Sequence, residues 1–168
     1  MNTDPKPKVV IVEDDTFLVK FYKAKFEQNG FTAVGIEDGL GAVAKIKAEQ
    51  PNLIILDIGL PNVDGFSILQ ELKKDPETKD IHVIILTKLA QDSDREIGSK
   101  LGATKYMVKM EVRLDEVIEE AKKCVNGKFV PVEPLPVPYP DPLQCPKCLK
   151  PIVTEASFCP WCGTKLDL

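Results

Sequence analysis

No stretch of this 168-residue chain is apolar for long enough to cross a membrane. The longest aliphatic runs, at 9–12, 53–56 and 83–86, are four residues each, against the ~20 a spanning helix needs. The first eight residues, MNTDPKPK, hold no apolar signal core, so a cytoplasmic protein is expected. A basic excess is missing too. The formal net charge is −4, and electrostatics alone gives no reason to expect a nucleic-acid partner. Histidine occurs once, at His82, early in a candidate strand, where a structural role is expected. Cysteine and proline are scarce over residues 1–126 and crowded afterwards. Four of the five cysteines and nine of the 14 prolines fall in the last 42 residues, which argues against one uniform domain. The overall balance, 43% hydrophobic and 29% charged, excludes a disordered chain.

Residues 1–126 alternate between two patterns. Short β-branched runs at 8–12, 32–36, 52–56, 81–86 and 105–108 are purely or mainly apolar, as parallel strands covered on both faces should be. Helical spacing lies between them. The first segment puts Phe17, Leu18, Phe21, Tyr22 and Phe26 on one face, with Gly30 as its stop. The second carries Leu40, Val43, Ala44 and Ile46. The third starts near Gly65 and carries Phe66, Ile68, Leu69 and Leu72. The fourth spans roughly 91–101 and is the least amphipathic. The fifth carries Leu114, Val117, Ile118, Ala121 and Val125. Five strands alternating with five helices predict a doubly wound α/β fold with a five-stranded parallel sheet. Cys124, on the last helix, is expected to be a small buried residue.

Residues 127–143 form a proline-rich linker: six of the twelve residues from 131 to 142 are proline. Proline lacks an N–H and fixes φ, so helix and sheet are both excluded there. A semi-rigid polyproline spacer of roughly 35–40 Å is expected. Residues 144–168 are too few to build a core without a staple.

Ligands of parallel α/β sheets bind past the carboxyl ends of the strands. Glu13, Asp14 and Asp15 follow the first predicted strand, Asp57 the third, Thr87 the fourth and Lys109 the fifth. Clustered carboxylates are hard oxygen ligands suited to Mg²⁺. A carboxylate can also attack phosphorus to form an acyl phosphate, whose oxygens a lysine and a hydroxyl would hold.

The segments VVIVEDD (9–15), LIILDIGLPNVDG (53–65), VIILT (83–87) and GATKYMVK (102–109) resemble response-regulator receiver domains of two-component signalling. The resemblance covers the whole of residues 1–126 and implies a flavodoxin-like fold. It implies Asp57 as phosphoacceptor and Mg²⁺ ligand, Asp14 as a direct Mg²⁺ ligand with Asp15 as its alternative, Glu13 as a ligand through water, and the backbone carbonyl of Gly59 as a further ligand. It implies Lys109 and Thr87 as phosphoryl contacts, Tyr106 as the aromatic that follows Thr87 on activation, and a geometric role for Pro61 and Gly65. A histidine kinase or phosphotransfer protein is the implied donor, and a second copy of the chain, in a phosphorylation-dependent dimer, is a further partner the resemblance allows. The chain departs from the family twice. Met110 stands where proline usually follows the pocket lysine, so the Lys109–Met110 bond is expected to be trans with an altered loop, or a strained cis bond. Lys88 stands where a small residue usually follows the threonine. The alternative is a scaffold that binds partners without phosphorylation. A haloacid-dehalogenase-type phosphatase would need an aspartate at position 59, which is glycine.

The tail holds Cys145 and Cys148, then Cys159 and Cys162 after ten further residues. Two C-x-x-C knuckles supply four thiolates to one tetrahedral Zn²⁺ at ~2.3 Å. Two disulfides or an iron site of the rubredoxin kind are the alternatives, and a reducing compartment disfavours the former. The tail resembles a short zinc ribbon of the CPxCG…FCPxCG type, with Leu149 where glycine is common, and Ile152, Phe158 and Trp161 expected over the metal. It is expected to dock an unknown downstream protein. No segment after residue 126 has the size of a helix-turn-helix, so nucleic acid is not an expected partner.

Overall fold

The computed structural model describes residues 5–127 and Lys165. The predicted linker and zinc ribbon, with Cys145, Cys148, Cys159 and Cys162, lie outside the described residues. Ten elements alternate: β1 (Lys8–Val12), α1 (Thr16–Gln28), β2 (Thr32–Ile36), α2 (Ala42–Glu49), β3 (Leu53–Leu56), α3 (Gly65–Lys74), β4 (His82–Thr87), α4 (Asp92–Lys100), β5 (Lys105–Val108) and α5 (Leu114–Val125). All strand pairs are parallel, in the order β2-β1-β3-β4-β5. This is the flavodoxin-like order, whose switch point falls between β1 and β3.

Strands with apolar side chains on both faces need helices on both faces. Val9, Ile11, Leu53, Ile55, Ile84 and Leu86 pack beneath α1 and α5, against Tyr22, Phe26, Val117, Ile118 and Ala121. Val10, Val12, Ile54, Leu56, Val83 and Ile85 face Ile46, Leu69, Leu72 and Ile97 of α2, α3 and α4.

Two strands start one residue later than expected. Asn52 lends its backbone N–H to Lys8 O and its side-chain oxygen to Lys8 N, both at 2.8 Å, and β3 starts at Leu53. Ile81 N closes a turn on Thr78 O at 3.0 Å, and β4 starts one residue later than expected. The α1 face is also corrected. Val19, Tyr22 and Phe26 are its buried residues, while Phe17 is 74% and Phe21 43% exposed, their rings stacked on each other at 6.5 Å. On α2 the buried pair is Ala42 and Ile46. Leu40 lies before that helix and is 59% exposed.

Cys124 is buried on α5 beneath the sheet, and burial pushes its thiol up to about 11. The thiolate is the reactive form, so the folded protein should alkylate at Cys124 roughly 10²-fold more slowly than an ordinary thiol at pH 8. Peptide mapping after a timed iodoacetamide pulse checks this. Equal labelling of folded and urea-unfolded protein at Cys124 would contradict it.

Candidate functional site

The sheet register places the site. Val12 pairs with Leu56, Leu56 with Ile85 and Thr87 with Val108. Residues just past β1, β3, β4 and β5 therefore share one edge. Ladder bonding continues past the strand ends and holds their backbones: Glu13 N donates to Ile36 O at 3.0 Å, Asp57 N to Val12 O at 3.0 Å, and Lys109 N to Thr87 O at 2.8 Å.

At the centre Lys109 Nζ bridges two buried acids. It lies 2.6 Å from Asp57 Oδ2 and 2.5 Å from Glu13 Oε2. The other Asp57 oxygen accepts from Gly59 N at 2.8 Å. Carboxylate oxygens of Glu13, Asp14 and Asp57 come within 4.8 Å of one another, with Asp14 on the exposed side. This all-oxygen set is compatible with Mg²⁺, which takes one or two carboxylates and keeps waters. Thr87 is fully buried at the end of β4, and its Oγ1 accepts from Leu89 N at 3.3 Å.

The three consecutive acids take three different jobs. Asp15 caps α1, its Oδ1 accepting from Phe17 N and Leu18 N at 2.9 and 3.1 Å. An N-cap carboxylate satisfies amides that the helix leaves unpaired. Glu13 turns inward to Lys109, and Asp14 joins the acid cluster.

Burial pushes the Glu13 carboxyl above its usual range; Lys109 works against this and the Asp57 charge adds to it. Burial opposes the charge on Lys109, but its bonds to Asp57 and Glu13 outweigh that and hold its pKa above the ordinary lysine value. Lys109 is therefore a cation at neutral pH, aimed at the Asp57 carboxylate.

Around this centre the chain shows its departures. The described residues contain no cis peptide, so Lys109–Met110 is trans. A cis bond there would cost ~2.5–4 kcal/mol. The trans chain closes a turn instead, with Glu111 N on Val108 O at 2.9 Å and Val112 N on Val108 O at 3.2 Å. Met110 is left 86% exposed. Lys88 is exposed beside Thr87. Tyr106, on β5, is half-buried and donates its hydroxyl to Leu89 O at 3.0 Å.

Residues 9–122 match the family description of the response regulator receiver domain. The chain belongs to that family. Among curated relatives, the receiver is 31% identical over 132 residues to the "Probable transcriptional regulator ycf27" of Porphyridium aerugineum, covering 75% of this chain and 54% of that protein. It is 37% identical over 103 residues to the "DNA-binding dual master transcriptional regulator RpaA" of Synechocystis, covering 61% of this chain and 43% of that one. The chain thus spans about half the length of these relatives. Among solved structures, a Francisella response regulator receiver domain superposes with a TM-score of 0.67 at 31% identity, over 73% of this chain and 99% of that one. A CheY-like receiver from Methanospirillum hungatei gives 0.68 at 25%, over 74% and 97%.

One feature of the receiver had only a faint trace in its sequence. Gly98, in the last turn of α4, stands against the Tyr106 ring: a Cβ there would lie 2.8 Å from Ile85 Cδ1 and 3.0 Å from Tyr106 Cδ2. Glycine within a helix costs up to ~1 kcal/mol relative to alanine, and that cost is the signal.

Proposed function

We propose that this chain is a phosphorylation-controlled signalling protein whose receiver accepts a phosphoryl group on Asp57. The observation that carries it is the bridge from Lys109 to Asp57 and Glu13, with Asp14 and Thr87 on the same edge. A carboxylate oxygen of Asp57 attacks phosphorus of a phosphohistidine or a small acyl phosphate. The P–O bond to Asp57 forms as the bond to the leaving imidazole or carboxylate breaks. Lys109 stays charged and pairs with the new oxygens, and Thr87 Oγ1 turns to donate to one of them. Glu13, Asp14 and Asp57, with the Gly59 carbonyl, would hold Mg²⁺, which would offset charge on the transferring group. Water later attacks phosphorus, releasing inorganic phosphate and restoring the carboxylate. The phosphoryl adds roughly −1.5 to −2 of charge and biases Thr87 and Tyr106 between two arrangements. The protein is a phosphoacceptor rather than an enzyme acting on a separate substrate.

Incubation with acetyl phosphate and Mg²⁺ should add one phosphoryl group by intact mass. No adduct on the wild type would leave the phosphorylation-independent scaffold as the better reading.

The tail is proposed as a zinc ribbon that docks a downstream protein in the cytoplasm. Among the described residues, no helix is long and apolar enough to cross a membrane. Protein purified without chelator should carry one zinc per chain, falling near zero in a Cys145→Ser/Cys162→Ser variant. Elemental analysis checks it, and an equal metal content in both would remove the ribbon. The two curated relatives named above are called transcriptional regulators, which weighs against leaving nucleic acid aside. Here the ribbon's partner is taken as a protein because residues 127–168 carry four acidic and four basic groups.

A further inference from the structure

The loop after Lys109 is tied to α4 by a contact that the phosphoacceptor chemistry does not use. Arg95 on α4 reaches Glu111 with Nη2 at 2.6 Å from Oε2. The same guanidinium sits over the Tyr106 ring, its central carbon 5.5 Å from the ring centroid, within the range of a cation–π contact. Gly98, three residues along α4, leaves the slot into which that ring fits. The Tyr106 hydroxyl is held by Leu89 O, and Leu89 N is held by Thr87 Oγ1.

These contacts close a circuit. From Thr87 it runs through Leu89 to the Tyr106 hydroxyl, across the ring to Arg95, to Glu111, and back along two residues to Lys109, whose N–H bonds Thr87 O. The Thr87 hydroxyl and the Lys109 backbone are thus both linked, through intermediate contacts, to one guanidinium. The trans Lys109–Met110 bond and the turn closed on Val108 O accompany this placement of Glu111.

We propose that Arg95 is a positioning residue that couples the Lys109 loop to the Tyr106 ring through Glu111. The inference rests on the receiver reading above for its phosphorylated state, but the coupling exists without a phosphoryl group. Movement of the Lys109 loop shifts the Glu111 carboxylate, and Arg95 passes that shift to the ring and to α4. The Arg95–Glu111 pair is partly exposed, with side chains 34% and 53% accessible. Its contribution is therefore small and screened by salt, a shift of roughly 2–5-fold between ring positions.

The test uses full-length protein labelled with 3-fluorotyrosine, the Tyr106 resonance being assigned with Tyr106→Phe. Without any phosphodonor, Glu111→Gln should move the Tyr106 resonance. The same substitution in an Arg95→Ala background should move it no further, because the relay is already cut. Half-molar salt should mimic Glu111→Gln, and Arg95→Lys should restore part of the wild-type position. With acetyl phosphate and Mg²⁺, Arg95→Ala and Glu111→Gln should still gain the adduct by mass, while the accompanying Tyr106 shift falls by half or more. A resonance indifferent to Glu111→Gln, or a full wild-type shift in phosphorylated Arg95→Ala, overturns the proposal. A structural role for Arg95 alone would lower thermal stability without making the Glu111 effect depend on Arg95. A wild type that gains no adduct overturns the receiver reading, and the donor-free arm still decides the coupling.

Discussion

Asp57→Asn should lose the phosphoryl adduct, while the protein still folds. The reason is chemical before it is structural. The wild-type carboxylate presents a charged oxygen to phosphorus, and an amide oxygen is a far weaker nucleophile. Asparagine has nearly the same shape, but its single oxygen can accept from Gly59 N, which bonds Asp57 Oδ1 at 2.8 Å, or from Lys109 Nζ, which bonds Oδ2 at 2.6 Å, and not from both. Lys109 keeps Glu13 as a partner, so no buried cation is stranded. The expected signal is therefore a fall in adduct of at least about 10²-fold with native-like thermal unfolding. Intact mass spectrometry under acetyl phosphate and Mg²⁺ reads the first, and calorimetry the second. An equal adduct on the variant would move the phosphoacceptor elsewhere.

Gly65→Ala carries the largest expected loss of stability. Gly65 opens α3 directly behind Asp57, with Asp64 as the cap and Gly65 N on Ile58 O at 3.3 Å. A Cβ at this position would lie 2.3 Å from Ile58 Cα and 2.8 Å from Asp57 O. Both are backbone atoms, so no side chain can swing aside. The chain must move either the start of α3, with buried Phe66, Ile68 and Leu69, or the β3 exit that carries Asp57. Overpacking of this kind costs typically 1–3 kcal/mol and more against backbone. A loss of roughly 3–4 kcal/mol is expected, or a fall in Tm of roughly 10–15 °C. Phosphorylation should slow as well, because the strain sits at the phosphoacceptor's own peptide. Chemical denaturation measures the loss, and a change below about 1 kcal/mol would show that the close approach is relieved without cost.

The sequence by itself determined the sheet and the residue types at its functional edge. Four-residue aliphatic runs, spaced by helical segments, can bury both faces only in a parallel sheet with helices on each side, and the described structure has that form. Asp57 and Lys109 each follow a strand end and Thr87 closes one, so their common edge was legible from topology alone. Three matters needed the tertiary structure. Three adjacent acids are equivalent on paper; they differ only once α1 needs a cap from Asp15 and Lys109 draws in Glu13. The aromatic stripe of α1 follows helical spacing, but the sheet contacts only part of it, so Phe17 and Phe21 face outward. Arg95, Gly98 and Glu111 show no motif, because their relation to Tyr106 is a contact between α4, β5 and the loop after Lys109 that exists only when the sheet is assembled. Local pattern specifies what a segment can be. Which of its side chains do the chemistry depends on what the rest of the chain brings within bonding distance.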